Sequence, residues 1–165
     1  MIPLLSRLLL RILIGSLGAC GASSHLNQET TNKETSREIK EVDPNCTLEY
    51  PSSDGRTLCA KIFWLEGPSS PDENSYTLKF WYRDTGSADR GPYMDPGHDV
   101  FVLPWMVMKN GREHGTAPTS VYRQEPGVYK VDRVFFIMPG RWQMRIQLKD
   151  GPTLVHSAVQ IIDVL

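Results

Sequence analysis

At 165 residues with 40% hydrophobic composition, the chain has material for one ordinary domain plus a targeting segment and a tether, and too little for two domains. A formal charge of −1, with no Lys/Arg cluster interleaved with aromatics, excludes a nucleic-acid footprint. The 13 Gly and 12 Pro alongside 4 Trp point to many turns and few long helices, the balance of an all-β domain.

The first element is an address. Residues 1–19 carry Arg7 and Arg11, then the apolar run Ile12-Leu13-Ile14-Gly15-Ser16-Leu17, and end on small residues, which describes a secretory signal peptide. A membrane-spanning helix would need about 20 mostly apolar residues, and the two arginines argue against one. Leu17-Gly18-Ala19-Cys20 resembles the bacterial lipobox, which implies lipidation of the Cys20 sulfur and a mature chain that begins there. The expectation is a membrane partner reached through a lipid anchor, in the bacterial cell envelope, with the domain on the periplasmic or outer side. Cleavage would remove two positive charges and leave the remainder more acidic.

Residues 20–44 are Ser/Thr/Asn-rich with mixed charge and almost nothing to bury, the composition of a flexible tether. His25 lies in it and is assigned no function. A short helix over residues 32–41 could gain i,i+4 charge pairs but would have no apolar face.

With Cys20 lipidated, Cys46 and Cys59 remain, and in an oxidising compartment an even remainder is most simply a disulfide. The alternative, a thiolate metal site, does not match a zinc spacing. Residues 46–50 and 58–64 are expected as two strands joined by the turn Pro51-Ser52-Ser53-Asp54-Gly55. After the loop at residues 67–71, residues 76–83 alternate with period two; Tyr76, Leu78, Phe80 and Tyr82 share one face, and Trp81 is the exception on the other. Residues 84–96 form a long Gly/Asp/Pro loop, of a kind that is functional or mobile.

Residues 99–108 are apolar on both faces, so the strand is central or has its outer face covered. Pro104 cannot donate to a ladder and requires an edge, a bulge or a break there. Residues 128–138 and 141–148 are expected to form a hairpin turning at Pro139-Gly140, with Trp142, Met144, Ile146 and Leu148 pointing inward. Residues 154–164 make the last strand. About seven strands with turns every ~8–12 residues is the pattern of an immunoglobulin-like β-sandwich over residues 45–165.

Trp105-Met106-Val107-Met108, His114-Gly115, Gly127-Val128-Tyr129, Val134-Phe135-Phe136 and Met138-Pro139-Gly140-Arg141-Trp142, in that order, resemble the YtkA-like and FixH-like group of bacterial envelope domains over residues 98–150. The resemblance implies a β-sandwich and, through some members, a connection with assembly of copper-containing respiratory oxidases. Relatives place Met, Pro and a His-Gly closely after the Trp; here residues 109–113 intervene before His114.

No nucleophile-and-base pair, Gly-x-Ser-x-Gly or His-Glu-x-x-His occurs, so no enzyme is expected. The metal case rests on Met106, Met108 and His114. Thioether and imidazole suit Cu(I), Met106 and Met108 at i,i+2 share one strand face, and His114 could return across the turn at Asn110-Gly111. Met138, His98 and Met94 are further candidates. The plainer alternative is that Met106, Met108, Met138 and Met144 fill the core, which for Met144, among Trp142, Ile146 and Leu148, is the preferred reading. His156 reads as a satisfied strand histidine. The competing function is a metal-free module presenting loops or an edge strand to another envelope protein, which an exposed Trp81 or Trp105 would favour.

Overall fold

The computed structural model describes residues 45–165; the signal peptide, the tether and the lipidation site expected at Cys20 lie outside the described residues. Nine strands follow in chain order: β1 (Leu48–Pro51), β2 (Thr57–Glu66), β3 (Glu73–Tyr82), β4 (Asp99–Val107), β5 (Glu113–Gly115), β6 (Ser120–Glu125), β7 (Val128–Phe135), β8 (Gly140–Asp150) and β9 (Thr153–Val164). They form two antiparallel sheets, β1-β2-β3-β7-β6 and β5-β4-β8-β9. The expected β-sandwich is therefore present, and the two strands beyond the expected seven are the short β5 and the polar β6.

One core lies between the sheets. The first contributes Leu48, Tyr50, Leu58, Ala60, Ile62, Tyr76, Leu78, Phe80, Tyr129 and Val131; the second contributes Val102, Met106, Trp142, Met144, Ile146, Leu148, Ile162 and Val164. The period-two pattern of β3 and β8 thus faces inward as its alternation requires. The Tyr50 hydroxyl crosses the core to donate to the Ile146 carbonyl at 3.3 Å, tying β1 to β8.

The expected hairpin between residues 128–138 and 141–148 is not formed. β7 pairs with β3 and β6, whereas β8 pairs with β4 and β9, so the Met138-Pro139-Gly140 segment carries the chain from one sheet to the other. The reason is packing. Phe136 and Trp142 are both fully buried, their ring centres 5.2 Å apart in the core, and the Trp142 indole N–H donates to the Met138 carbonyl at 3.1 Å. A flat hairpin would bring β8 beside β7 and deprive Trp142 of that inter-sheet seat.

Trp81, the exception in β3, is buried on the outer face of its sheet. It stands directly across from Cys59, which is bonded to Cys46, and Ala88 of the 84–96 loop completes this second cluster. The loop is held down: Met94 N–H donates to the Phe80 carbonyl at 2.9 Å, and the Tyr93 hydroxyl accepts from Lys79 Nζ and donates to the Ala88 carbonyl, each at 3.1 Å. The Cys46–Cys59 bridge closes the β1–β2 turn. Replacing both by Ser is expected to cost about 2–4 kcal/mol, read as a fall in the urea midpoint. An unchanged midpoint would show that the sheet pairing alone orders this end.

Candidate metal-binding end of the sandwich

β4 emerges from its pairing with β8 and turns back into β5 across Asn110-Gly111. Met108 N–H donates to the Arg112 carbonyl at 2.8 Å, Gly111 N–H to the Met108 carbonyl at 2.9 Å, and Gly111 takes the left-handed φ of 78° that the turn demands. In the resulting ladder Met106 stands directly opposite His114, and Trp105 opposite Gly115. Cross-strand partners share a sheet face, with Cβ atoms about 4.5–5.5 Å apart, so His114 lies beside Met106 on the inner face. Met108, two residues on, points the same way.

Met106 is 5% exposed and belongs to the core, while Met108 and Met138 are partly buried against it. The Met106 methyl approaches Gly140, where a β-carbon would come within 3.1 Å of it. The His114 ring is half-buried and makes no hydrogen bond with the described residues. Met106, Met108 and His114 are thus carried by the β4–β5 hairpin, and Met138 lies two residues before Gly140, which the Met106 methyl approaches.

The other sequence candidates lie elsewhere. Met144 is fully buried core, as its strand partners imply. Met94 is exposed at the opposite end of the fold from Met106, with its backbone packed so closely on Gly127 that a β-carbon there would meet Met94 N at 2.4 Å. His98 precedes β4 and lies eight residues from Met106 along the strand, roughly 26 Å at the usual rise.

The apolar outer face of β4 is bare in part. Phe101, Leu103 and Val107 are 41%, 40% and 45% exposed, and Trp105 lies among them. Pro104 falls one residue before β5 begins to pair, so the strand is an edge there, one of the arrangements the missing N–H requires. The Trp105 indole N–H donates to Glu113 at 3.0 Å, the Arg145 guanidinium sits 5.0 Å from the ring centre, and the ring lies over Gly115, where a β-carbon would collide at 2.6 Å. The glycine after His114 therefore serves Trp105 on the outer face and has no part in holding the imidazole.

Asp95 organises the other end. It accepts from Arg123 Nε at 2.9 Å, from Gly127 N–H at 2.8 Å and from the Tyr129 hydroxyl at 3.1 Å, which accounts for the Gly-Val-Tyr phrase. The Arg123 guanidinium first, then the Gly127 amide and the Tyr129 hydroxyl, hold the Asp95 carboxyl down at about 2 against the opposing effect of desolvation. Burial, aided by the Asp95 charge, pushes Tyr129 up to about 12. A depressed folded-state value stabilises above the unfolded one, near 4, and the contribution is lost as pH falls toward 2. Asp95→Asn should accordingly lower stability at pH 7, and the gap from wild type should shrink between about pH 4 and pH 2. Denaturation midpoints for both proteins across that range check it, and a gap independent of pH would contradict it.

The fold is a two-sheet β-sandwich in which the β4–β5 hairpin, at one edge of the four-stranded sheet, carries Met106, Met108 and His114. Residues 95–147 match the model of the YtkA-like family, a span that contains β4 to β7 and most of β8. No curated protein and no solved structure matches the chain.

Proposed function

We propose that this chain is a membrane-tethered lipoprotein of the bacterial cell envelope whose YtkA-like sandwich binds Cu(I) through Met106, Met108 and His114 and serves assembly of envelope metalloproteins without being an enzyme. The observation that carries the reading is the direct cross-strand pairing of Met106 with His114, with Met108 on the same face of the strand. Thioether and imidazole ligands select Cu(I) over Mg or Ca by softness, and a neutral imidazole completes a three-coordinate site. The partly buried Met138 adds a fourth soft group at the same end. Two measurements test it on the full chain. Competition for Cu(I) against a colorimetric chelator should show one tightly held equivalent, and intact mass of the membrane-extracted protein should show acyl chains on Cys20 with residues 1–19 lost. Failure to draw copper from the chelator defeats the metal reading, and a soluble, unmodified chain defeats the tether.

A second reading, a metal-free module docking on another envelope protein, is favoured by the exposed row Phe101, Leu103 and Val107 around Trp105. It separates from the first because it predicts that Leu103→Asp abolishes partner capture and leaves Cu(I) untouched.

A further inference from the structure

The geometry points to a second metal site at the opposite end of β4: a pair of imidazoles, His98 and His156, that takes a divalent late first-row cation, with Cu(II) the strongest ligand partner. The two rings stand 6.4 Å apart, centre to centre, at an interplanar angle of 73°. With metal–nitrogen bonds of ~2.0–2.1 Å, two imidazoles on one ion place their ring centres roughly 5–6.5 Å apart, from tetrahedral to linear. The observed separation falls at the linear end of that range, so the two imidazoles would take opposite positions on the ion.

Three elements build the pair. His98 is the last loop residue before β4, at the level where Asp99 pairs with Lys149. Asp150 ends β8, and the turn through Gly151, with φ of 55°, starts β9. A bulge between Leu148 and Lys149 then sets His156 directly opposite Leu148, a core residue, so its ring is turned to the inner face at the mouth of the sandwich. Both histidines line one cleft of about 430 Å³, whose floor includes Tyr50, Leu58 and Leu148.

His98 Nδ1 lies 2.6 Å from Asp150 Oδ1. A carboxylate on one ring nitrogen fixes the tautomer and leaves the Nε2 lone pair for a cation, the arrangement that orients metal-binding histidines. His156 makes no hydrogen bond with the described residues, and the His98 ring is its one ring contact there. Among the described residues no group of three or more His, Cys, Asp or Glu forms a metal cluster, so solvent completes the coordination. Two nitrogens with open positions suit Cu(II), the tightest-bound of the divalent first-row ions.

The test is a Cu(II) titration of the full chain carrying His25→Gln, which removes the tether imidazole, followed by electron paramagnetic resonance. The expected spectrum shows hyperfine coupling to two equivalent nitrogens at one equivalent of copper. His98→Gln and His156→Gln should each weaken binding at least about tenfold, and Asp150→Asn, at an exposed position, by about 10- to 100-fold through the orientation of His98 alone. Thermal unfolding of the metal-free variants checks that they fold, and the Asp150 variant reads the site independently if a histidine variant does not. The chain lacking both imidazoles should still take Cu(I) at the methionine end, so the two sites fail separately. Unchanged Cu(II) affinity in the double histidine variant, or a spectrum without paired nitrogens, overturns the proposal.

Discussion

Leucine at both 106 and 108 is expected to lower Cu(I) affinity about 100-fold, roughly 2.8 kcal/mol at 1.4 kcal/mol per tenfold, while stability shifts by less than about 1.5 kcal/mol. The two readouts separate because Met and Leu have similar volumes and apolar surfaces, whereas only Met has a sulfur to donate. Met106 is the stricter case, being 5% exposed and in contact with the rest of the core. Its terminal methyl reaches toward Gly140, and a branched Leu falls short of that contact, so a small loss is expected at this residue. Met108 is half-buried and should cost less. Met144→Leu is the control: fully buried on β8, it should show a comparable stability change with no change in copper. Chelator competition and urea midpoints on the same preparations decide it. A double variant that loses stability but competes for Cu(I) as well as wild type makes the methionines packing and ends the copper reading.

The largest loss of stability is expected at Asn74→Ala, about 3 kcal/mol or more, from at least two backbone groups left without partners at ~1–3 kcal/mol each. Asn74 is fully buried. Its Oδ1 accepts from Ser69 N–H at 2.7 Å, and its Nδ2 donates to the carbonyls of Ser69, Asp72 and Val134 at 2.9, 2.8 and 3.1 Å. One amide thereby closes the β2–β3 loop and stitches it to β7 where the β3–β7 register shifts. Gly67 is part of the same fitting: it has φ of 92°, and a β-carbon there would fall 1.7 Å from Asn74 Oδ1. Water could reach the Ser69 and Asp72 carbonyls at the loop surface, but the Val134 carbonyl bond is buried. Urea unfolding of the single variant reads the effect, and a loss below about 1 kcal/mol would mean that solvent replaces the amide throughout.

Asn74 also shows where reading the chain as a string stops. Locally it is one polar residue in a Pro-Asp-Glu-Asn segment, with nothing to set it apart from neighbouring surface positions. It becomes indispensable only because the preceding loop folds back over Val134. The same holds for Trp81, whose odd place in the alternation was visible but whose burial depends on the 84–96 loop covering the disulfide. The histidine pair is a third instance. His98 and His156 are 58 positions apart and meet through two strand pairings and a bulge.

Period-two alternation, the Gly/Pro turns and the two cysteines left once Cys20 is read as the lipobox residue were enough to determine an all-β sandwich, the inward residues of β3 and β8, the Cys46–Cys59 bridge, and the shared face of Met106 and Met108, because each of these follows from neighbours along the chain or from a two-residue repeat. Which strands pair was decided only in three dimensions. Pro139-Gly140 is compatible with either a hairpin or a passage between sheets, and the choice turned on seating Phe136 against Trp142 in the core. The side-chain period tells a strand which face to bury. It carries no information about which neighbour will supply the hydrogen bonds, and for that reason the register that sets His114 beside Met106, and His156 beside His98, belongs to the tertiary structure.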